Sequence, residues 1–290
     1  MLLPTMTPEE MYAELLKDAN PLWDAINMRF GAEFNKIVRR SQRFPMVKCY
    51  TWHSKTTMID YHVVFIAYRK AERKFIPHFF IFTIYSYESG RNLVYIENKN
   101  FAIRIYTTHF MQRYKERDTI YAQMANDNVN QNAEIFFLLK NQRVNETQVM
   151  KQLDQVVTDP EFIKMREKEK QTRFQQDPDY ERYSVACESG ICLCERNKVN
   201  PNISIYNTFI ACDMLQGTQY IDFAHAVYPV VLDRLSLYYP RQKAVWNKEW
   251  NDFAASLGHD ETLEDLYNSS MAILAKLDEF NKRYPVDSIL

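Results

Sequence analysis

The chain has 290 residues, a net charge of −1 and 46% hydrophobic residues, which is enough apolar material for a substantial core and excludes a disordered chain. Its five glycines are too scattered for the glycine-rich phosphate loop of a Rossmann or P-loop nucleotide site. No run approaches the roughly 20 apolar residues of a membrane span. Because the N-terminus also lacks a signal-peptide pattern and the five cysteines are an odd number, the sequence predicts a cytoplasmic protein with no membrane partner.

Charge is distributed unevenly along the chain. Between Lys36 and Arg117 there are 16 Lys and Arg against five Asp and Glu, so this stretch carries +11 and the rest of the chain carries −12. A basic half fits an anionic partner such as RNA or another phosphate-bearing ligand. The alternative is that the two halves attract each other internally or are solvated on separate surfaces.

Helices are predicted at the N-terminus. Thr7 is a favoured N-cap, Pro8 suits the first helical position, and the acidic pair 9–10 falls in the first turn. Apolar residues then keep helical spacing as far as Ile37, in two segments with a predicted break near Asn20-Pro21. These helices are expected to pack on the structure that follows.

From about Met46 the hydrophobic period changes to that of β-strands. The segments rich in β-branched and aromatic residues are 47–52, 58–68, 75–87, 93–97 and 101–106. Charged or Ser-Gly turns separate them, which predicts an antiparallel meander with one buried and one open face.

The second half is predicted to return to helices, then strands, then helices. The predicted helices are 133–140, 146–157, 160–176, 219–238, 243–257 and 263–284, and the predicted strands are 182–188, 191–196 and 203–212. The fold class is therefore α+β, with one antiparallel sheet packed by N-terminal and C-terminal helices. The predicted divisions are N-terminal helices at 1–45, a sheet domain at 46–217 with a helical insertion at about 118–180, and C-terminal helices at 218–290 on the same core.

Three cysteines lie in the predicted hairpin. With 189–190 (Ser-Gly) as a two-residue loop, Cys187 faces Cys192 across the strands and Cys194 lies on the same face. A metal site and a redox disulfide are both conceivable, but the spacing is not one used for zinc, and cysteine packs well as a small buried residue. Packing is the favoured interpretation, and no metal or cofactor is predicted.

The most informative segment for function is the helix predicted to begin after Thr107. It places His109, Arg113 and Arg117 on one helix face through i, i+4, i+8 spacing. A histidine in the first turn above two guanidiniums could hold a phosphate and act as a general base. The alternative is an exposed helix on which Arg113 pairs with Glu116, Arg117 pairs with a neighbouring acid, and His109 has no role.

This Thr-His-x3-Arg-x3-Arg helix comes after a strand and before a hairpin and a strand carrying Asn207-Thr208-Phe209-Ile210. In this order the chain resembles the barnase, EndoU, colicin and RelE group of metal-independent ribonucleases, especially their phage-associated and toxin members. The resemblance implies that His109 is the acid or base and that Arg113 and Arg117 clamp the phosphate. It further implies that Thr208, with Tyr206 on the same strand face, orients the scissile phosphate. Asn207 stands where this group has a lysine.

Two functional hypotheses follow. The first is RNA phosphodiester cleavage by attack of a ribose 2′-hydroxyl, or RNA-phosphate binding, at the His/Arg/Arg helix face, and it requires His109 and Thr208 to lie within about 8 Å of each other around one phosphate. The second is a non-enzymatic interaction protein whose tyrosines and phenylalanines line a groove between the sheet and the C-terminal helices, for protein or nucleic acid.

Overall fold

A computed structural model of the chain describes residues 2–3, 5–70, 77–87, 90–97, 101–118, 137–138, 153–173, 177–257 and 260–283. The helices include α1 (Pro8–Leu16), α2 (Ala19–Asp24), a π-helical stretch (Ala25–Phe30), α3 (Gly31–Arg40), α4 (Thr108–Arg117), α5 (Pro160–Arg173), α6 (Thr218–Tyr238), α7 (Lys243–Ser256) and α8 (Leu263–Arg283). The strands are β1 (Met46–His53), β2 (Asp60–Ala67), β3 (His78–Tyr87), β4 (Gly90–Ile96), β5 (Ile103–Tyr106), β6 (Tyr180–Cys187), β7 (Gly190–Asn197) and β8 (Ile203–Ala211).

The eight strands of the described residues form one sheet, in the order β1-β2-β3-β4-β5-β8-β7-β6. The α+β fold is confirmed, and β1 to β5 form the predicted antiparallel meander. One pair differs from the predicted antiparallel arrangement: β8 lies parallel to β5. Parallel neighbouring strands require a crossover connection. Here the chain runs from β5 into α4, and β6, β7 and β8 are then added to the sheet beside β5.

Helices pack on both faces of the sheet, and residues of the meander are buried on both, so the expectation of one open face is wrong. On one face, which we call the α4 face, Phe110 and Tyr114 of α4 pack in a core with Phe209 of β8. On the other, the α3 face, the N-terminal helices pack through residues such as Phe34 against β2 to β5. The C-terminal helices pack on the α3 face at its β6–β7 end, where Ile191 contacts the cluster built by α6.

The N-terminal helices begin as predicted but break at a different position. Thr7 caps α1 in a capping box, with its hydroxyl accepting from the Glu10 N–H at 3.2 Å. The break lies at residues 17–18, before Asn20-Pro21, and Pro21 falls in the first turn of α2. Proline is tolerated there because an N–H in the first turn has no intrahelical acceptor.

Asp18, at this break, fastens the N-terminal helices to the β1–β2 turn. Its buried carboxylate accepts hydrogen bonds from the hydroxyls of Ser54 at 2.6 Å and Tyr61 at 2.9 Å, and from that of Thr57. Burial, together with the bond to Asp18, raises the pKa of Tyr61 far above its usual range.

Tyr61→Phe should therefore lower the free energy of unfolding by about 1.5–2 kcal/mol, since it removes one hydrogen bond to a buried charged group. Urea denaturation followed by circular dichroism measures this loss. The matched control is Tyr12→Phe, which removes a 3.2 Å bond between two neutral groups, Tyr12 and Asn202, and should cost less. Equal losses in the two variants would contradict the role given to Asp18.

The β6–β7 hairpin is shifted by one residue from the prediction. Its loop is Glu188-Ser189, and Cys187 pairs with Gly190. Gly190 belongs to β7, where it pairs with Ala211 of β8, and an added Cβ there would clash with the carbonyl oxygen of Ile210. The glycine is thus required by strand packing, and the turn forms one residue earlier.

Parts of the helical predictions lie outside the described residues. Of the predicted helices at 133–140 and 146–157, residues 137–138 and 153–157 are described; positions 137–138 and 153–156 are helical, and position 157 is not. The third predicted helix, 160–176, is described as α5 as far as Arg173. Among the helices of the described chain, none combines the length and apolar character needed to cross a bilayer.

Candidate functional site

Helix α4 begins directly after β5, as its sequence predicts. The Thr107 hydroxyl accepts from the Phe110 N–H at 3.1 Å and donates to the Tyr206 carbonyl at 3.2 Å, so the same residue caps the helix and ties it to β8. Because Phe110 and Tyr114 pack inward on the sheet, the other side of the helix faces outward and leaves His109 exposed.

Both arginines of α4 are engaged within the chain. The Arg113 Nη1 donates to Glu116 Oε2 at 2.9 Å, as the non-catalytic alternative for this helix expects. The Arg117 Nη1 donates to the backbone carbonyl of Phe209 on β8, where that alternative expected an acid. The second guanidinium therefore fastens the end of α4 to the sheet, and the two do not converge below His109.

The two residues assigned to β8 are separated by a bulge. β8 has one extra residue at Asn207, so Leu193 of β7 pairs with Thr208 and the next residue of β7 pairs with Tyr206. Tyr206 and Phe209 are fully buried in the core of the α4 face. Thr208 precedes Phe209 and points to the opposite face, so the prediction that Thr208 and Tyr206 share a strand face is wrong.

The positions predicted for a ribonuclease site are thus distributed over the molecule. His109 lies on the outer side of α4, Tyr206 lies in the core beneath it, and Thr208 lies on the far side of the sheet. The strand alternation read from sequence assumes an unbroken register. A single inserted residue, which has no clear sequence signal here, reverses the face of every residue after it.

The three cysteines share one buried patch on the α4 face, as predicted. Cys187, Cys192 and Cys194 are all in its core, and the sulfurs of Cys187 and Cys192 lie 3.8 Å apart as free thiols. Burial raises the pKa of the Cys192 thiol well above its usual value, which disfavours the reactive thiolate. Within the described residues no group of three or more His, Cys, Asp or Glu side chains is arranged to hold a metal ion. Packing is the role that this geometry supports.

Part of the basic excess of the sequence lies at one end of the molecule, on the π-helical stretch, α3, the connection from α3 to β1, and the edge strand β1. We call it the basic surface, and its exposed members are Arg29, Lys36, Arg39, Arg40, Arg43 and Lys48. Lys36, Arg39 and Arg40 follow i, i+3, i+4 spacing, so they lie side by side along α3. None of the six forms an ion pair in the part of the chain that the structure describes.

Ring contacts hold α3 and β1 together at this surface. Phe30, just before α3, stacks on Tyr50 of β1 with ring centroids 4.9 Å apart. The Lys48 Nζ lies 5.9 Å from the centroid of the same Tyr50 ring, which places this ammonium on the side of β1 that α3 covers. Glu33 is the one acid in residues 29–48. The surface is therefore strongly positive, and beneath it α3 and β1 are held together by the Phe30–Tyr50 contact.

Sequence reasoning located the basic stretch but not this surface. The available signal was the helical spacing of Lys36, Arg39 and Arg40 beside apolar positions that are now seen in the core. Comparison with known proteins gives no match to this chain among family models, curated proteins or solved structures.

Proposed function

We propose that this protein binds RNA through the basic surface and does not cleave it. The observation that carries the proposal is the set of exposed cations at residues 29–48, which make no ion pair with the described residues and are accompanied by one acid. Unpaired surface cations on one face attract a polyanion, and neutralising phosphates releases condensed counterions, which favours binding.

The charge distribution also favours binding of a polyanion at this surface over other parts of the protein. The rest of the chain outside 36–117 carries −12, so its net charge opposes the approach of a polyanion, whereas the basic surface attracts one. The aromatic residues of this region, Phe30 and Tyr50, are stacked on each other and so are not available to stack on bases. Contacts would be made to phosphates, which fix position but do not read sequence. Binding is therefore expected to show little sequence preference.

Binding is favoured over cleavage because the groups for cleavage are not assembled. Arg113 and Arg117 are held by Glu116 and by a backbone carbonyl, and Thr208 lies across the sheet from His109. A phosphate beside His109 would therefore lack the clamp that stabilises developing charge.

The aromatic groove predicted between the sheet and the C-terminal helices is less well supported as a binding site. The ring of Tyr228 on α6 lies 5.3 Å from that of Trp250 on α7, and the ring of His225 lies 5.4 Å from that of Phe253. These rings pack against one another in the core between the two helices. They contribute to stability, and the basic surface is the better candidate for a partner.

Fluorescence anisotropy with a labelled single-stranded RNA tests the proposal. Reversing two charges in Arg39→Glu/Arg40→Glu should weaken binding at least about tenfold and reduce the slope of log affinity against log salt by about two. Both side chains are exposed, so the variant should fold normally.

The matched control is Lys164→Glu/Lys276→Glu, which makes the same charge change at exposed positions of α5 and α8. Its affinity should remain close to that of the wild type. Equal weakening in the two variants would show an effect of net charge alone and would overturn the basic surface as the binding site. The absence of cleavage is tested by incubating the RNA with wild type and with His109→Ala: RNA products that disappear in the variant would restore the ribonuclease hypothesis.

A further inference from the structure

The basic surface presents charge to a nucleic acid but no exposed aromatic ring. All aromatic side chains in this part of the chain are buried in the core of the α3 face or packed against it: Trp23, Phe30, Phe34, Phe44, Tyr50 and Trp52. Among the Phe, Tyr and Trp side chains that the structure describes, only Tyr239, at the end of α6, is well exposed. The surface therefore has no ring on which an unpaired base could stack.

This lack of rings affects a single strand more than a double helix. Proteins that bind single strands combine a basic groove with aromatic rings, and each stacked base adds substantially to affinity. The exposed apolar side chains of this region, Met28 and Ile37, have no π face. A single strand would therefore gain phosphate contacts only, while losing conformational freedom on binding. The bases of a double helix are already stacked inside it, so it needs no ring from the protein.

Four cations of the basic surface are free to contact phosphates. Lys36, Arg39, Arg40 and Arg43 are exposed, and none of their side chains makes a hydrogen bond, an ion pair or a ring contact with another described residue. Their charges are therefore not neutralised by the part of the chain that the structure describes. Phosphates that approach them displace only water and dissolved ions.

Helix α3 holds these charges on a rigid, outward-facing ridge. Ala32, Lys36 and Arg40 follow i, i+4, i+8 spacing, so they lie in one line, while Phe34 and Val38 anchor the opposite side in the core. The 10 residues of α3 make it about 15 Å long. Over that length a duplex carries about nine phosphates and a single strand about four. A duplex laid along α3 therefore brings more phosphates within reach of the same cations.

We infer that the basic surface binds double-helical RNA in preference to single-stranded RNA. This inference rests on the proposed function, and it names the class of RNA that the surface takes. Double-helical RNA is recognised mainly by its shape, its phosphates and its 2′-hydroxyls, because its deep major groove is closed to side chains. Exposed cations on a helix ridge suit this mode of recognition, since it requires no contact with a base edge and no stacking.

Fluorescence anisotropy with two probes tests the preference. One probe is labelled oligouridine, which cannot form Watson–Crick pairs with itself, and the other is the duplex that it forms with oligoadenosine of equal length. At equal salt the wild type should bind the duplex at least about fivefold more tightly, and the duplex affinity should fall more steeply with salt. Arg39→Glu/Arg40→Glu should weaken duplex binding at least about tenfold, whereas Lys164→Glu/Lys276→Glu should not.

Ala32→Trp tests whether the missing ring causes the preference. Ala32 is exposed on the same line of α3 as Lys36 and Arg40, so the variant should fold normally and present an indole beside both cations. Oligouridine should then bind at least about fivefold more tightly, while the duplex affinity stays within about twofold of the wild type. The matched control is Ala32→Leu, which adds apolar volume without a π face and should change neither affinity.

Several results would overturn the inference. Oligouridine binding as tight as duplex binding would remove the preference but leave RNA binding by the basic surface intact. An equal gain for both probes in Ala32→Trp, or an equal gain from leucine, would refute the argument from stacking. Tighter binding of the matching DNA duplex would assign the surface to DNA. Equal weakening of duplex binding by Lys164→Glu/Lys276→Glu and Arg39→Glu/Arg40→Glu would instead overturn the proposed function itself.

Discussion

Arg166→Met should lower the free energy of unfolding by about 3–5 kcal/mol, because it leaves a buried carboxylate without its cation. Arg166 on α5 and Asp222 on α6 are both buried, and the guanidinium donates to both carboxylate oxygens of Asp222. It also donates from Nε to Asp154 at 2.9 Å and from Nη1 to the Thr218 hydroxyl at 3.1 Å. One side chain therefore joins α5 to α6 and neutralises their buried charge.

Burial raises the pKa of Asp222 to about 6, and the charge and hydrogen bonds of Arg166 partly offset this rise. Asp222 is thus ionised at neutral pH while Arg166 is present. Without the arginine, the carboxylate must either remain charged in the core or take up a proton, and both cost free energy. Loss of the contact between the guanidinium and the Phe162 ring, whose centroid is 5.0 Å from Cζ, adds to the cost.

Urea denaturation at pH 7 measures the effect. The double variant Arg166→Met/Asp222→Leu should recover most of the lost stability, since an apolar pair needs no charge compensation. Arg182→Met is the matched control: its 2.9 Å pair with Glu195 is partly exposed, and its loss should cost less than about 1 kcal/mol. A double variant at least as unstable as Arg166→Met alone would refute this explanation.

His225→Phe should make the protein less sensitive to acid. His225 is fully buried on α6, and neither ring nitrogen has a hydrogen-bond partner among the described residues. Burial lowers its pKa to about 4 from the usual 6.5. As the pH falls below 6.5, His225 takes up a proton in the unfolded chain, whereas in the folded protein it does so only near pH 4. The folded state is therefore fully stable with respect to His225 above pH 6.5 and loses stability as the pH falls from 6.5 to about 4.

Between pH 7 and pH 4.5 the wild type should lose about 2–3 kcal/mol more stability than His225→Phe. At pH 7 the variant should be at least as stable, because an apolar ring of similar shape replaces unpartnered nitrogens and can keep the stacking on Phe253. Chemical denaturation at each pH provides both values. Asp222 titrates in both proteins, so its contribution cancels in the difference.

The exposed histidine His53 provides the control for the acid experiment. It pairs with Asp60 at 2.8 Å on the surface, where both side chains are more than half exposed. His53→Phe should therefore follow the pH dependence of the wild type far more closely than His225→Phe does. Parallel stability curves for the wild type and His225→Phe would refute the role assigned to His225.

Local features of this protein were determined by the sequence alone. The caps at Thr7 and Thr107, the helix that Thr107 begins, and the strands of the meander all follow from residues a few positions apart. Their physical basis is short-range, since a cap is one side chain bonded to a nearby N–H and a strand face is a period of two. These signals were sufficient for the α+β class.

The positions of the candidate site residues relative to one another were decided by the tertiary structure. The bulge at Asn207 moved Thr208 to the other face, and the close approach of β8 to Gly190 shifted the hairpin. The parallel pairing of β5 with β8 brought Arg104 beside Ser204, although nearly 100 residues separate them in sequence. Register and strand order depend on contacts between distant segments, and no local pattern of residue types encodes which strand becomes the neighbour of which.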